Sequence, residues 1–335
     1  MRLAIDARGE VNEELLAFGK QLGATDAIGG YGNSLSTDKG YYDYPDLVRL
    51  RKRFEDAGLT LAAIENVPPD WSHKIKLGLP GRDQQIENWC KTLTNMGSAG
   101  IPVLGYNFML RSDRGYGWRT ARSASGRGGA QVTTFDYDVA RDATQTVWDP
   151  PVTEQMEVTD EQMWDNFTYF LKAVIPVAER AGVRMGLHPD DPPISPLAGV
   201  ARIFRSHSAL QRLIETVPSD YNGLDFCQGT ISEMPENVID AIRYFGSRGK
   251  IFYVHFRNVS GPIPSFSETF IDEGHVNMAE AMQAYSEAGF DGPMIDDHVP
   301  GVVGDKSGYR SRAFAMGYIK GLMDFATPGA LLDSR

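Results

Sequence analysis

Residues 222–256 read NGLDFCQGTISEMPENVIDAIRYFGSRGKIFYVHF. A short apolar run, Gly223 to Cys227, precedes a stretch with Val238, Ile239, Ile242 and Phe245 at helical spacing, and a second apolar run follows from Ile251 to His255. Pro235 suits the first turn of the intervening helix. Strand, helix, strand in this order implies a right-handed parallel crossover. Each run ends on a side chain that binds metals, Cys227 and then His255. Ends of parallel strands open onto one face, so the two side chains are expected on the same side of the sheet.

The pattern extends in both directions. Further runs at Leu3 to Ile5, Thr25 to Gly29, Leu61 to Glu65, Pro102 to Asn107, Val183 to His188 and Pro293 to Asp297 bring the number of strands to eight. Amphipathic stretches separate most of them. Thr159 and Gln162 have the spacing of a capping box ahead of Phe167, Phe170, Leu171, Val174 and Val177, and Gly182 marks the stop. Asn277 reads as the cap of the helix bearing Met278, Ala281, Met282 and Tyr285, with Gly289 beyond it. Eight strand and helix units predict an α/β fold: one (β/α)8 TIM barrel spanning 1–335.

One region departs from this rhythm. Residues 111–127 hold Arg111, Arg114, Arg119, Arg122 and Arg127, and no clear periodicity follows until about Pro151. The reading is a long inserted loop after strand 4, at about 110–151, on the face where barrel loops build active sites. A solvated insertion is the plain alternative. Concentrated positive charge in a mouth loop would attract an anionic substrate.

Two more metal-binding residues close strands. His188 stands in GLHPDDPP, where Pro189 ends strand hydrogen bonding, and Asp297 with His298 stands in MIDDHVP. Each taken alone has a bland explanation, as a core histidine, a small core cysteine or a turn aspartate. Four at strand ends of one barrel point to a metal site made of His188, Cys227, His255 and Asp297. Mixed N, S and O donors suit Mn2+, Fe2+, Co2+ and Zn2+, whereas Mg2+ seldom accepts thiolate. Arg257 and Asn258, polar groups following His255, are candidate substrate contacts. Asp190 is another, with a proline-flanked turn as its structural alternative.

Composition narrows the partners. The 335 residues carry a net charge of −11, against a general nucleic-acid surface and in favour of a small molecule. The first ten residues lack the apolar core of a secretory signal, and no apolar run reaches the ~18 residues of a membrane span. Two cysteines, Cys90 and Cys227, argue for a reducing compartment and a soluble, cytoplasmic protein. Homo-oligomers are common among such enzymes, but nothing in the pattern locates an interface.

Taken together, GLHPDDPP at 186–193, FCQGT at 226–230, YVHFRNV at 253–259 and ETFIDEGHVNM at 268–278 resemble the bacterial mannonate dehydratase family. The resemblance covers nearly the entire chain. It implies a barrel similar to xylose isomerase and conversion of D-mannonate to 2-keto-3-deoxy-D-gluconate by loss of water. It assigns the metal, usually manganese, to His188, Cys227, His255 and Asp297, and implies catalytic use of His298 and Tyr309; a neutral imidazole titrates close to working pH and is the more natural base, which makes His298 the base and Tyr309 the acid. By analogy Lys76 lines the site, and Arg119 stands in the GWRT segment that replaces the family's DWTRT. The partner implied is a small anionic sugar acid.

The chain also departs from the family. Where members read RPDHGR, residues 295–300 read IDDHVP, so two arginines expected near the substrate are absent. This keeps open a metal-dependent isomerase, epimerase or lyase acting on another sugar acid or keto sugar. A binding protein on an inherited barrel would retain the pocket and lose chemical groups.

Overall fold

The computed structural model describes residues 1–32, 35–112, 117–141, 148–149 and 157–326. Eight parallel strands close into a barrel: β1 (Arg2–Ala7), β2 (Asp26–Gly30), β3 (Thr60–Glu65), β4 (Val103–Tyr106), β5 (Arg184–Leu187), β6 (Asn222–Cys227), β7 (Ile251–His255) and β8 (Pro293–Ile295). Each of the eight predicted runs supplies one strand. β8 stops two residues early because Asp297 has φ of 53°, a left-handed conformation that no strand can continue.

Alternation along the strands separates two apolar layers. Leu3, Ile5 and Ala7 join the large cluster under the helices, while Ala4 groups with Ile28, Ala63, Val103, Tyr253 and Ile295 inside the barrel. The same period places Asp225 with Cys227 and Tyr253 with His255 on the inner face. Gly105 of β4 makes room for this arrangement, since a Cβ there would lie 1.8 Å from the Tyr253 hydroxyl.

The helices follow their sequence signals in most places. Asp160–Ala181 begins with the Thr159 and Gln162 capping box and ends at Gly182 in the left-handed conformation. Asn277 caps Met278–Glu287. Pro235, expected in the first turn of its helix, instead precedes it: Val238–Gly246 starts after Asn237, whose side chain accepts from the Ile239 amide. A side-chain cap supplies the stronger start signal.

Between β4 and Asp160 the described residues are not an open loop. Ala121–Ser125 and Gln131–Asp136 form an antiparallel hairpin, extended by Ser265–Ser267 into a three-stranded sheet. Its strands are short and largely polar, so they leave little period-two signal; a few residues, Trp118, Phe135, Leu197, Val259 and Phe266, form its apolar base. Backbone bonds tie it to the barrel loops, from Trp118 N to Asp191 O and in both directions between Gln131 and Gly301. Arg114 lies outside the described residues.

Candidate metal centre and barrel mouth

The register of the barrel assembles the site. Cys227 pairs with His255 across β6 and β7, so both side chains emerge at one level. A ligand atom each from His188, Cys227 and His255 lie within 4.8 Å of one another. Asp297, just past β8, brings Oδ2 to 3.6 Å from His255 Nδ1 and 4.0 Å from Cys227 Sγ. The four side chains that sequence reading selected therefore converge.

Surrounding groups fix how these ligands present themselves. His255 Nε2 lies 2.9 Å from Glu65 Oε2 and 3.4 Å from Asp225 Oδ1, while its Nδ1 is buried with no hydrogen-bond partner. His188 uses Nδ1 on the Pro189 carbonyl, which leaves Nε2 for the centre. Asp297 accepts from Arg8 Nη2 at 2.6 Å and from Arg257 Nε at 2.9 Å. An orphaned imidazole nitrogen facing a thiol and a carboxylate fits a divalent cation, and partners on the far ring nitrogens are what metal-bound histidines require.

Charge favours the ligand forms. Burial alone would raise the Cys227 thiol, but Arg257 and His188 hold it well below its ordinary value, as a thiolate. Burial likewise disfavours a charged Asp297, and His298, His255 and Arg8 more than reverse this. His188 loses by burial and gains more from the Cys227 thiolate, ending at about 10. The extra proton this leaves on His188 is the one a bound cation would displace.

His298 follows directly. Its Nδ1 is 2.9 Å from Glu268 Oε1 and its Nε2 3.7 Å from Asp297 Oδ1, with the side chain 46% exposed. Burial lowers its pKa, and Asp297 and Glu268 outweigh this and raise it. Beside it opens a pocket of about 530 Å³ lined by Asp6, Arg8, Tyr31, Glu65, Asn66 and His298.

Other expected contacts are occupied elsewhere. Arg119 and Arg257 are buried in a carboxylate network: Arg119 bonds Asp191 and Glu268, and Arg257 bonds Asp191, Glu233, Glu268 and Asp297. Gly229 allows this, because a Cβ there would meet the Arg257 guanidinium at 2.4 Å. Burial and the neighbouring Asp191 raise Glu233 well above its usual value, against the pull of Arg257 and Arg119. Asn258 donates to Ile271 O and Val276 O and accepts from the amides of Val259 and Val276, which pins the 268–278 loop instead of facing the mouth. Asp190 is buried and holds the Phe204 amide. Lys76 is buried on Asn107 Oδ1 and Met109 O.

Tyr309 is not brought to the others. It opens the helix Tyr309–Ala326, where its ring stacks on Phe18 at 4.5 Å. Conversely Asp6, Arg8, Glu65, Asp225, Glu268 and Arg312 stand at or behind the mouth without having been singled out. A usable signal was present for three: Asp6, Glu65 and Asp225 are carboxylates at inward positions of apolar strands. Arg312 pairs with Asp296 and Asp6, so guanidinium groups surround the β8 end although residues 295–300 hold none.

The chain is similar to known proteins over most of its length. The D-mannonate dehydratase (UxuA) family profile matches residues 1–329. Mannonate dehydratase of Thermotoga maritima is 34% identical over 317 residues, covering 84% of this chain and 86% of the relative. Mannonate dehydratase 2 of Halalkalibacterium halodurans is 32% identical over 310 residues, covering 85% and 88%. The crystal structure of mannonate dehydratase from Streptococcus suis superposes with a TM-score of 0.87 at 28% identity, covering 98% of this chain and 94% of that one. An L-ribulose 3-epimerase shares the fold at a TM-score of 0.62 and 16% identity, covering 100% and 98%. Among the described residues no helix is long and apolar enough to cross a membrane.

Proposed function

Since the chain belongs to the D-mannonate dehydratase family, we propose that it is a hydro-lyase that removes water from D-mannonate, giving 2-keto-3-deoxy-D-gluconate. The observation that carries the metal-dependent form of this reading is the convergence of His188, Cys227, His255 and Asp297, with His298 beside them. Manganese is the proposed ion, and Fe2+, Co2+ and Zn2+ suit the same donor set.

The hydrogen next to a carboxylate is weakly acidic, and a divalent cation held by the four ligands supplies Lewis-acid stabilisation of the negative charge that builds when it leaves. The protein's own groups do the rest. The pocket beside His298 takes the sugar acid, with Arg8 and Asn66 on its wall. Glu268 occupies His298 Nδ1, so proton exchange with the substrate falls to Nε2. In its neutral fraction, which the neighbouring Asp297 and Glu268 hold down, His298 takes the proton from the carbon bearing the carboxylate. The departing hydroxyl leaves as water by taking up a proton, and the one at hand is that just accepted by His298; for Tyr309 to supply it, the first turn of its helix would have to leave Phe18.

Incubation of the purified protein and Mn2+ with a panel of aldonates, followed by assay for 2-keto-3-deoxy acids, tests this reading. Formation of the keto-deoxy acid from D-mannonate is expected. Turnover of a ketose or aldose with no aldonate consumed would overturn it.

A further inference from the structure

Arg8 is the side chain that joins three carboxylates beside the centre, Asp6, Glu65 and Asp297. It follows β1, which lies between β2 and β8 in the barrel. Its Nη1 donates to Glu65 Oε1 at 2.7 Å and its Nη2 to Asp297 Oδ1 at 2.6 Å; Nε and Nη2 also grip the two oxygens of Asp6 at 2.8 and 2.9 Å. The guanidinium thus joins groups 57 and 289 residues away in sequence. β2 stands between β1 and β3 and gives way: at Gly30 a Cβ would lie 2.6 Å from the Arg8 carbonyl oxygen.

Both long-range partners lead to the cation ligands. Asp297 is itself one of the four. Glu65 holds His255 Nε2 through its other oxygen, and so leaves Nδ1 turned to the centre. One planar fork therefore sets the carboxylate ligand directly and an imidazole ligand through Glu65. A charge alone would not do this: three carboxylates, Asp6, Glu65 and Asp297, are met in three directions by one rigid group, which a lysine ammonium at the end of a flexible stem does not reproduce.

We propose that Arg8 is a positioning residue of the cation site, locking Asp297 and the Glu65–His255 pair into one ligand geometry. This rests on the four-ligand reading above. The chelator-stripped full-length protein is titrated with Mn2+, and separately with Zn2+, and affinity is read by competition with a metal-sensitive dye. Arg8→Ala is expected to weaken binding about 10- to 100-fold, the range for losing a supporting partner of a metal ligand. Arg8→Lys, which keeps the charge and guards against misfolding of the alanine variant, is expected to recover only part of it. Glu65→Gln is expected to weaken binding as well, and adding it to Arg8→Ala to cost less than the product of the single losses, since both act on His255.

Binding by Arg8→Ala and Arg8→Lys at wild-type strength, with Cys227→Ala and His255→Ala binding lost, would overturn the role of Arg8 and leave the ligand set standing. Wild-type protein binding no more tightly than Cys227→Ala would overturn the ligand set and the proposal with it.

Discussion

His298 Nδ1 meets Glu268 Oε1 at 2.9 Å, and this contact decides which imidazole nitrogen is left for the mouth. Glu268 is in turn held by Arg119 and Arg257, so the pair rests on a buried frame of ion pairs. A base oriented by a fixed carboxylate is a recurring arrangement in proton-transfer enzymes. His298→Asn is expected to lower kcat by about 10²-fold or more while metal content stays intact. Loss of metal in that variant would instead mark His298 as a ligand. Glu268→Gln is expected to lower kcat in the same direction with unchanged metal content.

The stacking of Tyr309 on Phe18 gives a contrasting expectation. Tyr309→Phe keeps the ring contact and removes only the hydroxyl, so kcat is expected to stay within about threefold of wild type, a change of less than about 1 kcal/mol. A loss comparable to that of His298→Asn would show that the start of the last helix moves to the mouth during turnover.

Lys76 makes stability depend on pH. Burial pulls its pKa down to about 7 from 10.5, with Asp190 opposing only in part. The folded state therefore binds fewer protons than the unfolded chain between these values, so stability rises with pH across that window and the penalty for a buried ammonium is full below it. The upper bound is on the order of a few kcal/mol. Chemical denaturation at pH 7 and pH 9 is expected to show this increase, and Lys76→Met to flatten it. An unchanged slope in Lys76→Met would assign the effect to other groups.

Asn258 carries four backbone hydrogen bonds under the 268–278 loop. Asn258→Ala would leave buried donors and acceptors without partners, at about 1–3 kcal/mol for each group left unmet. A clear fall in Tm is expected, together with weakened protection of amides in 268–278 from hydrogen exchange. An unaltered Tm would mean that water replaces the amide.

The barrel was legible because its signals are local: each apolar run is bounded by turns, and a residue at the end of a run stays at the end of a strand. That is why His188, Cys227 and His255 could be selected, and why Asp297, just beyond β8, could be added. The supporting groups were hidden because their partners are distant. Arg8 reads as one charge in a short N-terminal segment until β1 is seen to adjoin β8, and Glu268 reads as part of a motif until His298 is seen above it. The hairpin at 121–136 was missed because backbone pairing holds it more than apolar alternation does. The loop contacts of Asn258 were hidden in the sequence because a polar residue after a barrel strand can serve a loop as readily as a substrate.

Cobalt substitution tests most directly whether the four side chains share one cation. A thiolate bound to Co2+ gives charge-transfer absorption in the near ultraviolet, which oxygen and nitrogen ligands alone do not. The protein loaded with one equivalent of Co2+ is expected to show this band, Cys227→Ser to lose it, and Glu268→Gln to keep it. One tightly bound Co2+ with no such band, or a band that survives Cys227→Ser, would contradict a centre built from His188, Cys227, His255 and Asp297.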